Sequence, residues 1–559
     1  MLPRPVRTRP PVRNRLPLAL AIAIALTLGA TAPVQGQGMA NLPDIGSSAG
    51  ELISPAREAQ YGAMYLRELR RHGYVLEDPL VDDWLQAMAF RLVAASERPG
   101  NDYTFFMLRS RQINAFATLG GYIGTNAGLV LTAESEDEVA AVLAHEIAHV
   151  TQRHIVRSVE RAQKDTLPIM LGMLAAVIAA QSSGSSSSDN AAQAAIAGGM
   201  GLMQQRQINY TRANEHEADR LGIHTLARAG YDPGAMAVFF GRLQRSYRAV
   251  GYEGYIPDYL RTHPVTTTRI SEARDRAARY QTTPGGSVCV MENDGRVVEC
   301  VRSVAQGGSA SIAHRNPLLP EHLSRSRLDP GAVGEPGLFD WARERLRVMS
   351  AESGAAAVAE YQRLIEGGAA LSDAQRYGLG LARLRANQGE AAMAELMPLV
   401  DRHPANYWAA LALAEAEFRA GRIDAARTRF DAIQASLPNS RAVALNYARV
   451  LGEIGTPEAG RRAQEVLRPL LPHAAEDYAF QQIFARASEL AGDLVRAGEA
   501  HAEAAFLSGR AEDALNQLEA LKRREDLDYI QRARIDARIA ALTPIVLEMR
   551  RQGIGPGRG

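Results

Sequence analysis

The sequence predicts a mostly α-helical chain with a small β-sheet, in which a first domain of helices and strands is followed by an α-solenoid. Three observations carry that prediction. A His-Glu-x-x-His motif at 145–149 lies inside a helical pattern, a short β-rich stretch runs from Tyr103 to Ala117, and prolines recur every 34 residues in an alanine- and leucine-rich second half. At 559 residues the chain has room for two or more domains, each with its own core.

Residues 1–36 read as a secretory signal peptide. Arg4, Arg7, Arg9, Arg13 and Arg15 precede the apolar run Leu16–Ala30, a charged start and a short hydrophobic core. Cleavage is expected near Ala30-Thr31-Ala32 or just after Gly36, the second keeping Pro33 away from the cut. An uncleaved anchor is the alternative, although the run is near the short limit for crossing a bilayer. No cysteine lies near the cut, which excludes a lipid-modified N terminus. Losing five arginines leaves 58 basic residues against 62 acidic, a balance of about −4 in place of +1. Nothing in that balance points to nucleic acid.

The first domain is expected over 37–284. Helices are read at Glu58–Arg71 and Asp82–Ser96, strands at Tyr103–Leu108 and Ile113–Ala117, and a turn at Gly120-Gly121. Ser135 and Glu138 fit a capping box before the run Val139–Ala144, so the motif sits about two turns into a helix. Residues four apart share a helix face, so His145 and His149 can point at one cation, with Glu146 beside its open position to take a proton from bound water. The competing reading is a buried helix with two hydrogen-bonded histidines.

A catalytic metal of this kind usually takes three protein ligands and a water. A third histidine six residues after His149 would require a glycine at 152 and a histidine at 155. The chain has Gln152 and Ile155, and His154 is expected well round the helix from His149. The third ligand must therefore come from elsewhere. Glu215 and Asp219, four apart on another helical segment that stops near Gly230–Pro233, offer one, with His216 as a rival to Glu215.

Between these segments lie an apolar run Leu167–Ala180, a spacer at 182–188 and a small-residue run Ala191–Met203. The apolar run is too short to span a bilayer and reads as one arm of a helical hairpin. It is either packed on the domain or acts as a lid or a peripheral membrane contact, with Met170, Met173, Met200 and Met203 making it adaptable. The only cysteines, Cys289 and Cys300, flank Asp294-Gly295. A two-residue turn there sets them directly opposite each other, where a disulfide can form. Residues 285–337 are read as a linker with this β-hairpin.

From 338 to 550 the pattern is of helix pairs. Pro404, Pro438 and Pro472 recur at 34 residues, Gly421 and Gly455 share the step, and 34 is the period of tetratricopeptide repeats. Ala409, Ala410 and Ala412 let paired helices approach closely, and about four to six stacked pairs would share a core. The spacing from Gly389 to Pro404 is two residues shorter than that from Gly421 to Pro438, an irregularity put down to repeat capping. Residues 551–559 read as a flexible tail.

Four separated stretches, in order, resemble the gluzincin metallopeptidase family of the CAAX prenyl protease and the heat-shock membrane protease. They are Asn114-Ala115-Phe116-Ala117 with Gly120–Ile123, His145-Glu146-x-x-His149, Glu215-x-Glu217-Ala218-Asp219, and His263-Pro264 with Arg269. The order of domains is similar to that of the periplasmic BepA-like members with a tetratricopeptide domain. The resemblance implies a zincin-like metalloprotease domain with one Zn2+ per chain, held by His145, His149 and Glu215, and Glu146 as general base. It further implies that Asp219 is an orienting group or proton donor and that His263 steadies the oxyanion or covers the metal. Arg269 would support that loop, and Asn114, Ala115 and Phe116 would bind substrate along a strand edge. It implies a periplasmic endopeptidase acting on misfolded or stalled outer-membrane proteins, its repeats docking clients or the assembly machinery. The alternative is a periplasmic chaperone or scaffold whose protease site is latent. A membrane-integrated protease would need long apolar segments that the sequence lacks.

Overall fold

Ser54 and Asp78 each accept a backbone N–H at the first turn of a helix that opens on proline, which starts α1 (Pro55–Arg71) and α2 (Pro79–Ala95). The computed structural model describes residues 53–162, 169, 188–249, 258–282, 287–291, 296–302 and 338–551. The expected signal peptide, the apolar run apart from Ile169, the spacer up to Ser187, the Asp294-Gly295 turn and the segment 303–337 lie outside these residues.

Three strands follow, β1 (Thr104–Leu108), β2 (Ala115–Ala117) and β3 (Tyr122–Asn126). β1 pairs parallel with β3, and β2 pairs antiparallel with β3, so β2 is an edge strand. The second strand is shorter than the expected Ile113–Ala117: beyond Ala115, Asn126 N–H meets the Asn114 carbonyl, but the Ile113 carbonyl accepts from Tyr259 N–H instead of from β3. Strand β1 is buried on both faces. Phe105 and Met107 enter the main core, while Phe106 and Leu108 pack with Leu66 and Val75. The tight link into β3 depends on Gly121, whose φ is +78° and where a Cβ would sit 2.1 Å from the Asp102 carbonyl oxygen.

Next come α3 (Ala127–Thr132) and α4 (Glu136–Thr151), which carries the His-Glu-x-x-His motif. Ser135 caps α4 as expected, accepting the Glu138 N–H, but the Glu138 carboxylate takes the Glu134 N–H and Arg242 instead of completing the box. The helix α5 (Ser188–Arg228) is continuous through the small-residue run and on through Glu215 and Asp219. Helices α6 (Ala235–Ala249), α7 (Asp258–Thr262) and α8 (Thr267–Ala277) complete the surround. A second sheet, β4 (Tyr280–Thr282), β5 (Ser287–Met291) and β6 (Val297–Arg302), is antiparallel throughout. Its first strand belongs to the stretch assigned to the preceding domain. Cys289 faces Cys300 and the two are disulfide-bonded, while the register shifts at Met291, which pairs with Val297.

Among the described residues, twelve helices run from α9 (Leu338–Met349) to α20 (Tyr529–Arg551), each packed on its sequence neighbours. Helices starting at Asp373, Tyr407 and Arg441 keep the 34-residue step. The left-handed residue that ends them is Asn387, Gly421 or Gly455, with φ of +60°, +80° and +77°. The counterpart of Gly421 is thus Asn387 and not Gly389, which removes the irregular spacing. Gly389 serves close packing, since a Cβ there would lie 2.6 Å from the Ala420 amide nitrogen.

One apolar core runs from Leu76 in the first part to Ala500 in the repeats, and the last helices bury a second cluster around Phe506, Leu518 and Leu542. Across the join, Arg345 on α9 makes two 2.7 Å hydrogen bonds to the Asp78 carboxylate. Arg67 lies over the Phe506 ring at 4.1 Å. Among the described residues, no helix is long and apolar enough to cross a membrane.

Candidate active site

The apolar run Val139–Ala144 buries α4 in the core, and so takes His145 and Glu146 with it, at 0% and 1% exposure. Burying charged groups is costly unless each has partners, so their neighbours decide what the site can do. Helix α5 supplies them. It approaches α4 closely because residue 222 is glycine, where a Cβ would lie 3.1 Å from the His145 nitrogen. Glu215 and Asp219, one turn apart, both face α4.

The His145 and His149 Nε2 atoms are 3.0 Å apart, and Glu215 lies 3.4 Å from the first and 3.5 Å from the second. His263, just after α7, brings its Nδ1 to 3.3 Å from His145 Nε2 and 3.0 Å from Glu215 Oε1. One ligand atom from each of these four residues lies within 4.8 Å of the others. Three imidazole nitrogens and a carboxylate converging out of water fit a divalent cation better than they fit one another. The set is N/O and suits zinc-type coordination.

Charge at the site is organised from outside the cluster. Arg269 grips Asp219 with two 2.7 Å hydrogen bonds and places Nη1 2.9 Å from Glu215. This pair is buried, unlike an ordinary surface ion pair. Asp219 Oδ1 lies 3.0 Å from His145 Nδ1, an oblique contact on the ring atom opposite the cluster. Burial pushes the Glu215 and Asp219 carboxyls up, but His145 with His263 in one case and Arg269 with His145 in the other hold both below the usual range. Burial would lower His145; Asp219 and Glu215 overcome it and raise it to about 9. Burial, together with the charge on His145, pushes His149 the other way, well below the ordinary imidazole range.

Glu146 lies beside the four-residue cluster and is not part of it. Its Oε2 accepts the Ala117 N–H from the edge strand at 3.0 Å, while Oε1 is buried without a hydrogen bond, 3.5 Å from His263 Nε2. Phe116 turns to the other side, edge-on to Tyr65 and Phe106. Ala115 is buried in the core, and Asn114 Oδ1 is buried without a partner. His216, the rival ligand, faces outward to Glu272 at 3.0 Å.

Three residues escaped sequence reasoning. Tyr259 packs its ring 4.9 Å from that of His263, and burial raises its hydroxyl well above the ordinary range. His154 returns under His149, with its Nδ1 2.9 Å from His149 Nδ1 and its Nε2 3.1 Å from Glu217. The expectation that it points away fails because Arg153 has φ of +51°, which ends the helix and re-aims the next residue. A non-glycine residue there costs on the order of 1–2 kcal/mol. Arg153 is held by Glu58 and the Ile53 carbonyl. Glu217, bound by His154 and Arg157, is held at about 2.

Residues 79–277 match the model of peptidase family M48. This part of the chain is an M48 peptidase domain. Residues 383–450 match a tetratricopeptide repeat. The beta-barrel assembly-enhancing protease of Escherichia coli K12 is 28% identical over 515 residues, 92% of this chain and 94% of that protein. The protein of the same name from Yersinia pestis is 29% identical over 501 residues, 90% of this chain and 91% of that one. A Vibrio cholerae relative is 46% identical over 242 residues, which span 43% of this chain and about half (48%) of that relative. The M48 domain holds every residue of the metal-ligand cluster, so the chain is a metallopeptidase with a tetratricopeptide arm.

Proposed function

We propose that this chain is a periplasmic zinc endopeptidase that removes misfolded or stalled outer-membrane β-barrel proteins, with its repeats docking clients or the machinery that assembles them. The observation that carries the reading is the four-residue ligand cluster beside Glu146 and the edge strand β2. The names of the relatives supply the client class, and the disulfide together with the expected signal peptide supports export.

When bound, zinc would polarise the scissile carbonyl and acidify a water. His145, His149 and Glu215 would hold it, and Asp219 with Arg269 keeps His145 and Glu215 in place. Glu146 takes the water's proton at Oε1, the oxygen that makes no hydrogen bond. An extended client adds to the edge of β2 by main-chain hydrogen bonds, taking over the Ala117 N–H from Glu146, and such pairing tolerates many sequences. His263 covers the ligand cluster at rest, the one observation that favours the alternative of a scaffold with a latent site.

The test is cleavage of an unfolded outer-membrane β-barrel protein by the purified chain, with zinc content measured. Endoproteolytic fragments from zinc-loaded wild type support the reading. Full zinc occupancy with no cleavage, also after His263→Ala, assigns the chain to the scaffold class.

A further inference from the structure

Both histidines of the motif need their second ring nitrogen held if the first is to face a metal, and the two are held differently. His145 meets a carboxylate directly, at Asp219. His149 meets another histidine, which passes the contact on to a carboxylate of the same helix. We propose that His154 and Glu217 form a relay that positions His149 as a metal ligand, so that Glu215, Glu217 and Asp219, within little more than one turn of α5, all serve one metal site. The inference rests on the reading of the cluster as a metal site.

Geometry allows a single consistent set of protons. With Nε2 of His149 turned to the cluster, its proton sits on Nδ1 and is donated to His154 Nδ1 at 2.9 Å. That nitrogen must accept, so His154 carries its own proton on Nε2 and donates it to Glu217 Oε2 at 3.1 Å. Arg157 Nη1, also 3.1 Å from Glu217, keeps that carboxylate an acceptor. The opposite tautomer of His154 would set two N–H groups against each other. A metal on His149 and a carboxylate at Glu217 therefore select the same proton arrangement from the two ends of the relay.

The placement is built rather than incidental. His154 is 3% exposed and is turned toward His149 by the left-handed Arg153, and the relay joins three chain segments: α4, the helical residues 154–162, and α5. A histidine that merely filled the core would not need its partner to be a metal ligand. It would also not need a carboxylate on its far nitrogen.

Titration of chelator-stripped protein with Co2+, followed by its visible spectrum, tests the relay without relying on activity. His154→Phe and Glu217→Gln are expected to weaken Co2+ binding by about 10–100-fold and to alter the ligand-field bands. His154→Gln, which keeps a side-chain acceptor for the His149 N–H, should recover part of the affinity. Glu217 is partly exposed, so Glu217→Gln reports even if His154→Phe fails to fold. Wild-type affinity and an unaltered spectrum in Glu217→Gln or a folded His154→Phe overturn the relay alone. Absence of Co2+ uptake by wild type overturns the metal site and the relay with it.

Discussion

The Ala117 amide donates a hydrogen bond to the Glu146 carboxylate at 3.0 Å, tying the proposed base to the edge strand β2. Glu146→Gln keeps an oxygen that accepts this N–H, while the amide cannot take up a proton. Cleavage should fall by about 10²–10⁴-fold with unfolding temperature and zinc content unchanged. Glu146→Ala should lose the anchor too and lower the unfolding temperature. Calorimetry and metal analysis of the two variants beside wild type separate the roles.

His263 adds a fourth protein ligand atom where a catalytic metal site usually leaves room for water. His263→Ala should therefore raise the rate at which a pre-unfolded protein is cut, at equal zinc content. A drop in rate instead assigns His263 to the oxyanion and leaves the cover reading without support.

Removing the metal leaves three imidazoles and Glu215 crowded together with only protons to neutralise them. Chelation should lower the unfolding temperature by several degrees, and stoichiometric Zn2+ should restore it, since a ligand that binds the native state alone stabilises it by mass action. Glu215→Gln should show a smaller response to both treatments.

Asp78 caps α2 and also pairs with Arg345, and Asn keeps the cap while giving up the charge. Asp78→Asn should cost about 3–5 kcal/mol in denaturant unfolding, because Arg345 is left buried with the Tyr377 hydroxyl but no longer faces the Asp78 charge. Burial pushes the Asp78 carboxyl up, but Arg345 brings it below its ordinary 3.8. A folded pKa below the unfolded one gives stability that is complete above 3.8 and is lost as pH falls through the lower folded value. The variant should accordingly show a flatter acid limb below pH 4 than wild type.

What could be read ahead of the structure follows from how local each signal is. His145, Glu146 and His149 share a helix turn, and Glu215 with Asp219 repeats the same spacing, so a period of 3.6 residues exposes both sets. His263 and Arg269 came only through family resemblance, because nothing in a loop histidine before proline marks it as facing a metal. An unbroken helix continued past Arg153 places His154 well round from His149, and arginine gives no hint of the left-handed turn that brings it back. In the repeats, prolines kept the right register while glycine did not, since Asn387 occupies one of the left-handed positions. The Arg345–Asp78 pair joins residues 267 positions apart and leaves no local pattern at all.

The unbroken core between Leu76 and Ala500 turns the repeat arm into a ruler. A client docked on the arm, as proposed, would not be carried toward the ligand cluster by a swinging hinge; only its own slack would cover the distance. A polypeptide of n unfolded residues reaches a span that grows roughly as the square root of n. A nearly finished barrel with short loose ends would therefore stay out of reach of Glu146, whereas a stalled one with a long unfolded segment would not. Client selection would then be a matter of chain length rather than of sequence.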